Sequence, residues 1–177
     1  MKENLRRKAK DIRKSISIIT LSDRIKQNLF SLEEYKNSKN IFCYYSFSNE
    51  VVTTNYFEDA SKNWYIPKVM GMEMLVCPYS TNNTVKNKYG IFESSTPAIE
   101  DLSVIDLIII PALSADKNGY RIGYGKGFYD RFLKKLKHNP TKIVLVFSDL
   151  FIDNVYPDVY DEKCDIVVTD KEVYRVL

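Results

Sequence analysis

The chain is short of histidine, since His138 is the only one among its 177 residues. Hydrolases of the Ser-His or Cys-His type need a histidine as general base. His138 lies in the polar run K-H-N-P after a helical segment, where a solvent-facing position at a helix C-terminus is expected. We assign it no chemistry, and the sequence therefore argues against the triad hydrolases.

Cysteine is also scarce, with Cys43, Cys77 and Cys164 far apart and no C-x-x-C pair. An odd number of scattered thiols predicts neither a disulfide framework nor a zinc site and suits a reducing compartment. The first ten residues contain no apolar signal core, so we expect a cytoplasmic protein with no cleaved leader. No apolar run has the length of a membrane span.

The remaining composition is that of an ordinary globular protein. Hydrophobic residues make up 45% of the chain, and the formal net charge is +3. A chain of this length suits one domain, which we expect to span residues 1–177. The mild positive charge permits an anionic small-molecule substrate without requiring nucleic acid.

Apolar periodicity switches between helix and strand along the chain. Leu5, Ala9, Ile12, Ile16 and Ile19 recur at spacings of four and three and predict one helix, with a second starting after Thr20 or Ser22. Further helices are predicted over 54–62 and 127–136, and strands over 41–47, 64–69, 74–79, 89–92, 107–112, 143–147 and 165–169. This order predicts a single-domain α/β fold with a mostly parallel twisted sheet flanked by helices, a Rossmann-like three-layer architecture.

Four of the six glycines lie between Gly119 and Gly127, in the run G-Y-R-I-G-Y-G-K-G-F-Y-D. Glycine lets consecutive N–H groups turn toward phosphate oxygens, and the interleaved Arg121 and Lys126 can neutralise charge. The helix predicted to follow adds the favourable N-terminal dipole. A flexible turn is the alternative, but cations and a carboxylate at fixed offsets favour a ligand site, at the carboxyl ends of the strands.

The loop matches neither of two well-known phosphate motifs. A P-loop needs Ser or Thr after the lysine, whereas Gly127 follows Lys126. A dinucleotide fingerprint opens directly from a strand with G-x-G-x-x-G, whereas the spacing here is G-x-G-x-G.

Three other features allow more than one interpretation. The N-terminal segment carries a cluster of cations that includes Lys2, Arg6 and Arg13. This cluster has three interpretations: a solvated helix face, a nucleic-acid patch or part of a phosphate site. Glu50 is an ordinary loop residue or a ligand to a polar substrate. Asp165 starts an apolar strand, where a charge is expected to be paired or to hold a metal.

The motif R-I-G-Y-G-K-G-F-Y-D-R-F-L, preceded by P-A-L-S-A-D-K-N-G, resembles the signature of the 5-formyltetrahydrofolate cyclo-ligase family. The segments K-E-N-L-R-R, Y-Y-S-F-S-N-E, Y-I-P-K-V and C-D-I-V-V-T-D follow the family's order, so the resemblance covers essentially the whole chain. It implies an ATP- and magnesium-dependent enzyme that converts 5-formyltetrahydrofolate into 5,10-methenyltetrahydrofolate with release of ADP and phosphate. The family is thought to phosphorylate the formyl oxygen, after which N10 attacks intramolecularly.

The resemblance also implies roles for individual residues. Asp130 and Asp165 match magnesium positions, and Lys126, Arg121 and Tyr129 are the expected catalytic residues. The expected ATP-binding residues are Lys2, Arg6, Arg121, Ile122, Gly123, Tyr124, Gly125, Lys126, Gly127, Phe128 and Tyr129. The expected substrate-binding residues are Tyr45, Glu50, Tyr124, Gly125, Lys126, Gly127 and Phe128.

The implied partners are a reduced folate and ATP, and we expect a monomer without nucleic-acid or membrane partners. Tyr124 stands where some relatives have an arginine, which changes the number of cations near the phosphate. Met72 and Met74 line the folate cavity or belong to the core. The rival interpretation is a non-catalytic nucleotide-binding module or a basic RNA-associated α/β protein.

Overall fold

The computed structural model describes residues 1–176. Its helices are α1 (Lys2–Arg13), α2 (Ile18–Ser31), α3 (Glu33–Asn37) and α4 (Phe128–Lys135). Its strands are β1 (Asn40–Cys43), β2 (Asn63–Met70), β3 (Glu73–Pro78), β4 (Thr84–Lys86), β5 (Phe92–Ser94), β6 (Leu107–Pro111), β7 (Ser114–Ala115), β8 (Arg121–Ile122), β9 (Thr141–Leu145), β10 (Ile166–Val168) and β11 (Val173–Arg175).

Seven strands form one sheet in the order β11-β10-β9-β6-β1-β2-β3. The five inner strands run parallel, while β3 and β11 pair antiparallel at the two edges. The pairs β4–β5 and β7–β8 are separate two-stranded sheets. The predicted α/β class with a mostly parallel sheet flanked by helices is confirmed. Strand β11 was not predicted, because three residues are too few to show an alternating pattern.

The core lies along the central strands. Leu107 to Ile110 in β6 are fully buried, as a continuous apolar run covered on both faces requires. Helix α4 packs over this region, and the rings of Phe132 and Phe42 are 5.2 Å apart. Met74 belongs to this core, whereas Met72 is exposed at the β2–β3 turn.

Several predicted boundaries were wrong. The first helix ends at Arg13, because the hydroxyl of Ser15 bonds to the carbonyl of Ile12, and α2 starts earlier than predicted, at Ile18. Such a serine contact competes with the helical backbone bonds. Residues 54–62 form turns instead of a helix, with Asp59 bonding to the N–H and hydroxyl of Ser61.

Strand β1 is also shorter than predicted, and its end positions the site. The carbonyl of Tyr44 accepts a hydrogen bond from the Thr53 hydroxyl at 2.7 Å, so the chain leaves the sheet after Cys43. The chain continues from β1 to β2 on one side, but β6 lies on the other side of β1. The carboxyl ends of β1 and β6 therefore border the crevice where open α/β sheets bind ligands.

None of the helices in residues 1–176 is both long and apolar enough to cross a membrane.

Candidate active site

The glycine-rich loop runs from the end of β8 to the start of α4. Gly125 has φ 96° and Gly127 has φ 64°, both in the left-handed region that glycine favours. Gly127 is the residue that precedes α4, so the loop leads into a helix N-terminus. Unbonded N–H groups and the helix dipole favour an anion at this position. Lys126 is exposed between the two glycines.

Helix α1 brings Arg6 to this loop and Lys2 to the segment that contains Asp158 and Asp161. Nε of Arg6 donates to the carbonyl oxygen of Gly123 at 3.0 Å. One turn earlier, Nζ of Lys2 lies 2.8 Å from the carboxylate of Asp158 and 2.5 Å from that of Asp161. Burial by itself would lower the pKa of Lys2, but the two carboxylates outweigh it and raise that pKa. These cations therefore contact the protein and do not form a solvated basic face.

Arg121 and Asp130 lie behind the loop as a buried ion pair. Nη2 of Arg121 is 2.9 Å from Oδ1 of Asp130, and Nη1 donates to the carbonyl of Glu162 at 2.8 Å. The N–H of Glu162 donates to the same Oδ1 at 3.0 Å. Burial opposes the charge of Arg121, but Cys164 and Asp130 raise its pKa. In this arrangement Arg121 braces the loop, and its expected catalytic role stays a prediction.

The two carboxylates expected to hold magnesium occupy different surroundings. Asp165 directly precedes β10, where its Oδ2 accepts from the N–H of Lys142 at 2.7 Å and lies 3.3 Å from Nζ of the same residue. The sequence left open whether Asp165 forms an ion pair or holds a metal, and in this structure it forms an ion pair with Lys142. Within residues 1–176, no three His, Cys, Asp or Glu side chains come together as a ready-made metal site.

A magnesium ion does not require such a cage, because it commonly keeps several waters and takes one or two carboxylates together with substrate phosphates. Asp130 fits this arrangement. It lies in the first turn of α4, and hydrogen bonds from the described residues occupy only its Oδ1. Asp165 fits less directly, because Lys142 already neutralises it.

Glu50 lies across the crevice in the loop that follows β1. Its Oε2 accepts from the N–H of Phe47 at 2.8 Å, and Ser48 has φ 53°, so the loop turns tightly. Burial raises the pKa of Glu50, although the Phe47 N–H, Tyr124 and Arg13 act in the opposite direction. Residue spacing left Glu50 open as an ordinary loop residue or a substrate ligand, and the fold buries it beside Tyr124.

Tyr124 reaches from the glycine loop toward Glu50. Its hydroxyl accepts a hydrogen bond from Nη1 of Arg13 at 3.1 Å and lies beside the Glu50 carboxylate. Burial and the charge of Glu50 raise the pKa of Tyr124 to about 12. The phenol therefore keeps its proton at neutral pH and can donate it in a hydrogen bond.

Tyr45 belongs to an aromatic cluster. Its ring is stacked at 5.5 Å on Phe57 and lies 5.2 Å from Phe92 and 6.2 Å from Tyr79. Stacked and tilted rings at these separations form an apolar wall. The sequence analysis identified Tyr45 but missed its partners, because they come from three distant segments.

The other predicted loop residues differ in exposure. Ile122 is buried, so only its backbone can face a ligand. The ring of Phe128 lies 5.1 Å from the guanidinium of Arg131. The Tyr129 hydroxyl is buried without a hydrogen-bond partner among the described residues, and burial raises its pKa well above the ordinary value. Tyr129 can therefore act as a hydrogen-bond donor but not as a base at neutral pH.

Sequence reasoning gave no specific role to Arg13 and overlooked Asp158, Asp161 and Arg131. Arg131 joins the loop to the β2–β3 turn, donating to the carbonyls of Lys126 at 2.8 Å and Met72 at 3.2 Å. Arg13 did carry a signal, because its spacings of seven from Arg6 and eleven from Lys2 place all three on one helix face. The two aspartates lie in an irregular loop with no periodicity to reveal them.

A pocket of about 490 Å³ lies near the starting end of β2, on Phe57 and Tyr79 of the aromatic cluster and on Trp64. None of the predicted site residues lines it.

Together, the fold and the crevice define an α/β protein with a phosphate-type loop on one side and a carboxylate with an aromatic wall on the other. This arrangement suits two ligands held next to each other, one of them anionic.

Comparison with known proteins identifies the family. The profile described as "5-formyltetrahydrofolate cyclo-ligase family" matches residues 1–170. The chain therefore belongs to the 5-formyltetrahydrofolate cyclo-ligase family, and the predicted enzyme class, a cyclo-ligase, is confirmed.

Relatives and solved structures agree with this assignment. A probable 5-formyltetrahydrofolate cyclo-ligase of Schizosaccharomyces pombe is 30% identical over 170 residues, covering 84% of this chain and 83% of the relative. The mouse cyclo-ligase is 26% identical over 181 residues, covering 89% of each protein. The Aquifex aeolicus 5,10-methenyltetrahydrofolate synthetase structure has a TM-score of 0.87 at 32% identity, covering 99% of this chain and 92% of that one.

Proposed function

We propose that this protein converts 5-formyltetrahydrofolate into 5,10-methenyltetrahydrofolate, using ATP and magnesium and releasing ADP and phosphate. The observation that carries the proposal is the meeting of the glycine loop with Glu50 through Tyr124 in one crevice. A phosphoryl donor and a folate must lie next to each other for this reaction. We also propose that residues 1–177 act as one monomeric domain in the cytoplasm.

The loop and α1 bind the triphosphate in this proposal. Backbone N–H groups from Gly123 to Gly127 contact the phosphates, with Lys2 and Arg6 supplying positive charge from α1. Lys126 has no hydrogen bond or ion pair from its ammonium group within residues 1–176, so it is free to reach the transferring phosphate. Lys2 must exchange part of its contact with Asp158 and Asp161 for phosphate oxygens.

The other side of the crevice binds the folate. The carboxylate of Glu50 accepts hydrogen bonds from N–H groups of the pterin ring, and Tyr45 with its aromatic partners packs against the ring. Tyr124 lies between the two ligands. Its high pKa keeps the hydroxyl protonated, so the hydroxyl can donate a hydrogen bond to the Glu50 carboxylate beside it.

The chemistry needs positioning more than a protein nucleophile. The formyl oxygen attacks the γ-phosphorus and the bond to ADP breaks, which turns a poor leaving group into a phosphate. N10 of the folate then attacks the formyl carbon and loses its proton. The bond between that carbon and the phosphorylated oxygen breaks, which releases phosphate and leaves the closed methenyl ring. Lys126 and the loop N–H groups stabilise the charge on the transferring phosphoryl group.

A bound magnesium ion supplies further neutralisation of phosphate charge, and Asp130 is the residue that fits it best. Arg121 holds Asp130 in place and limits its negative charge.

The proposal is tested with purified protein, 5-formyltetrahydrofolate, magnesium and ATP, by following the near-ultraviolet absorbance of the methenyl product. We expect a rise that requires ATP. Folded protein that produces no rise, in an assay where a known cyclo-ligase does, would overturn the proposal. ATP hydrolysis that is independent of folate would indicate a different nucleotide-using protein.

Replacing Gly125 with alanine is expected to weaken ATP binding. The new methyl group would lie 3.3 Å from Cζ of Arg6, and φ 96° strains any side chain, so loop and Arg6 must shift. We expect the KM for ATP to rise about tenfold, because a shift of the loop and Arg6 would remove roughly one charge-assisted contact with the phosphates.

Gly71→Ala is the matched control for Gly125→Ala. Gly71 also has positive φ, 59°, but nothing lies within 4 Å of the added methyl group. A rise in the ATP KM of both variants would show that general destabilisation of the protein, and not a change within the glycine loop, is responsible.

A further inference from the structure

Arg13 is a buried cation without a carboxylate partner. Its side chain comes from the last residue of α1, only 5% of the residue is exposed, and it makes no ion pair within residues 1–176. Its Nε is buried and has no hydrogen-bond partner among the described residues. Arg121, the other buried arginine, has Asp130 as its counter-ion. Burying a charge without such a partner is costly, so a purely structural residue at this position would more easily be apolar.

The contacts that Arg13 does make point into the proposed site. Nη2 donates to the carbonyl of Ala112, just after β6, at 2.5 Å. Nη1 donates to the Tyr124 hydroxyl at 3.1 Å. The guanidinium therefore connects α1, the carboxyl end of β6 and the glycine loop at the strand ends where the ligands are expected.

Tyr124 extends this connection to Glu50. Because the phenol oxygen accepts from Arg13, its own O–H is free to point elsewhere, and the neighbouring group that can accept it is the Glu50 carboxylate. The positive charge of Arg13 also acts on Glu50, favouring its ionised form against burial. Arg13, Tyr124 and Glu50 thus form a chain from cation through phenol to anion.

We propose that Arg13 is a positioning residue for folate binding, holding Tyr124 by its hydroxyl and thereby orienting the Glu50 carboxylate toward the substrate. This inference rests on the proposed function. The inference assigns Arg13 an effect on the folate side of the crevice. Arg13 nevertheless belongs to the same helix as Lys2 and Arg6, which we place on the ATP side. Arg13 does not itself touch substrate.

The test measures the KM for 5-formyltetrahydrofolate and for ATP separately in variants of the full chain. Arg13→Met keeps the apolar bulk and is expected to raise the folate KM about 10- to 100-fold, the range for losing a hydrogen bond to a charged group. The KM for ATP should change less than about threefold. Arg13→Lys keeps the charge but loses the planar guanidinium that donates to two acceptors at once. Its folate KM should therefore lie between those of the wild type and Arg13→Met. Arg24→Met, an exposed arginine on α2, is the matched control.

A double-variant comparison separates positioning from loss of packing. Tyr124 is half exposed, so Tyr124→Phe should fold normally and raise the folate KM about five- to tenfold through loss of one hydroxyl. If Arg13 acts through Tyr124, the double variant should be less impaired than the product of the two single effects.

Two outcomes would overturn the role of Arg13. One is an equal rise of both KM values in Arg13→Met, and the other is fully independent effects in the double variant. Absence of turnover in the wild-type protein would instead overturn the proposed function, so the two failures are distinguishable. If Arg13→Met does not fold, Arg13→Lys and Tyr124→Phe still test the proposal. In both variants the KM for folate should rise more than the KM for ATP, and equal rises would overturn the role of Arg13.

Discussion

Lys126→Ala is expected to lower kcat by about 10²- to 10³-fold, the cost of removing one charge aimed at a developing transition state. The side chain is exposed, and its ammonium group makes no contact within residues 1–176, so the fold should not change. Because the contact to the transferring phosphoryl group strengthens as the reaction proceeds, kcat should fall far more than the KM for ATP rises. The measurement is steady-state kinetics of methenyl formation at saturating folate and varied ATP.

Two further variants control for general effects of charge. Lys137→Ala removes an exposed lysine just beyond α4 and should leave kcat unchanged. Lys126→Arg keeps the charge on a longer, planar head and should retain more activity than alanine. A normal kcat in Lys126→Ala would remove this residue from the phosphoryl-transfer step.

Glu50→Gln is expected to weaken folate binding by about 10- to 100-fold, because hydrogen bonds to a charged acceptor are replaced by bonds to a neutral one. The affinity for ATP should remain nearly unchanged, since the proposed phosphate contacts come from the loop and α1. Calorimetric titration of folate and of ATP separately measures both effects. An equal loss for both ligands would contradict the division of the crevice into two halves.

Glu50→Gln is also expected to affect stability, in the direction opposite to its effect on folate affinity. Burial raises the pKa of Glu50 above its ordinary value of 4.5, so ionising it costs folding free energy. This carboxyl contributes stability below its unfolded-state pKa and loses that contribution as pH rises through the higher folded-state pKa. At pH 7, glutamine resembles the protonated form, so the Tm of Glu50→Gln should equal or exceed that of the wild type.

Folate binding should depend on pH through the same group. As pH falls through the raised pKa, Glu50 becomes protonated and the wild type should lose folate affinity at a higher pH than an ordinary glutamate would cause. The groups that face it are Arg13, Cys43, Tyr44, Tyr124 and Tyr129. Glu50→Gln should lack this pH-dependent loss. Persistence of the loss in Glu50→Gln would assign it to another group.

Features encoded by neighbouring residues were predictable from the sequence. The continuous apolar run of β6 predicted a central buried strand, and Gly125 and Gly127 predicted a loop with positive φ before a helix. The family resemblance also followed from contiguous motifs. Boundaries failed where a side chain competed with the backbone, as Ser15 does after α1 and Thr53 does after β1.

The sequence by itself determined the α/β class, the glycine loop and the family, because periodicity and turn chemistry act over a few residues. Only the tertiary structure decided which charges meet. Arg13 and Tyr124 are 111 residues apart, and Lys2 and Asp161 are 159 apart. The pairing of Arg121 with Asp130 and the raised pKa of Glu50 likewise depend on burial, which packing of the whole chain creates.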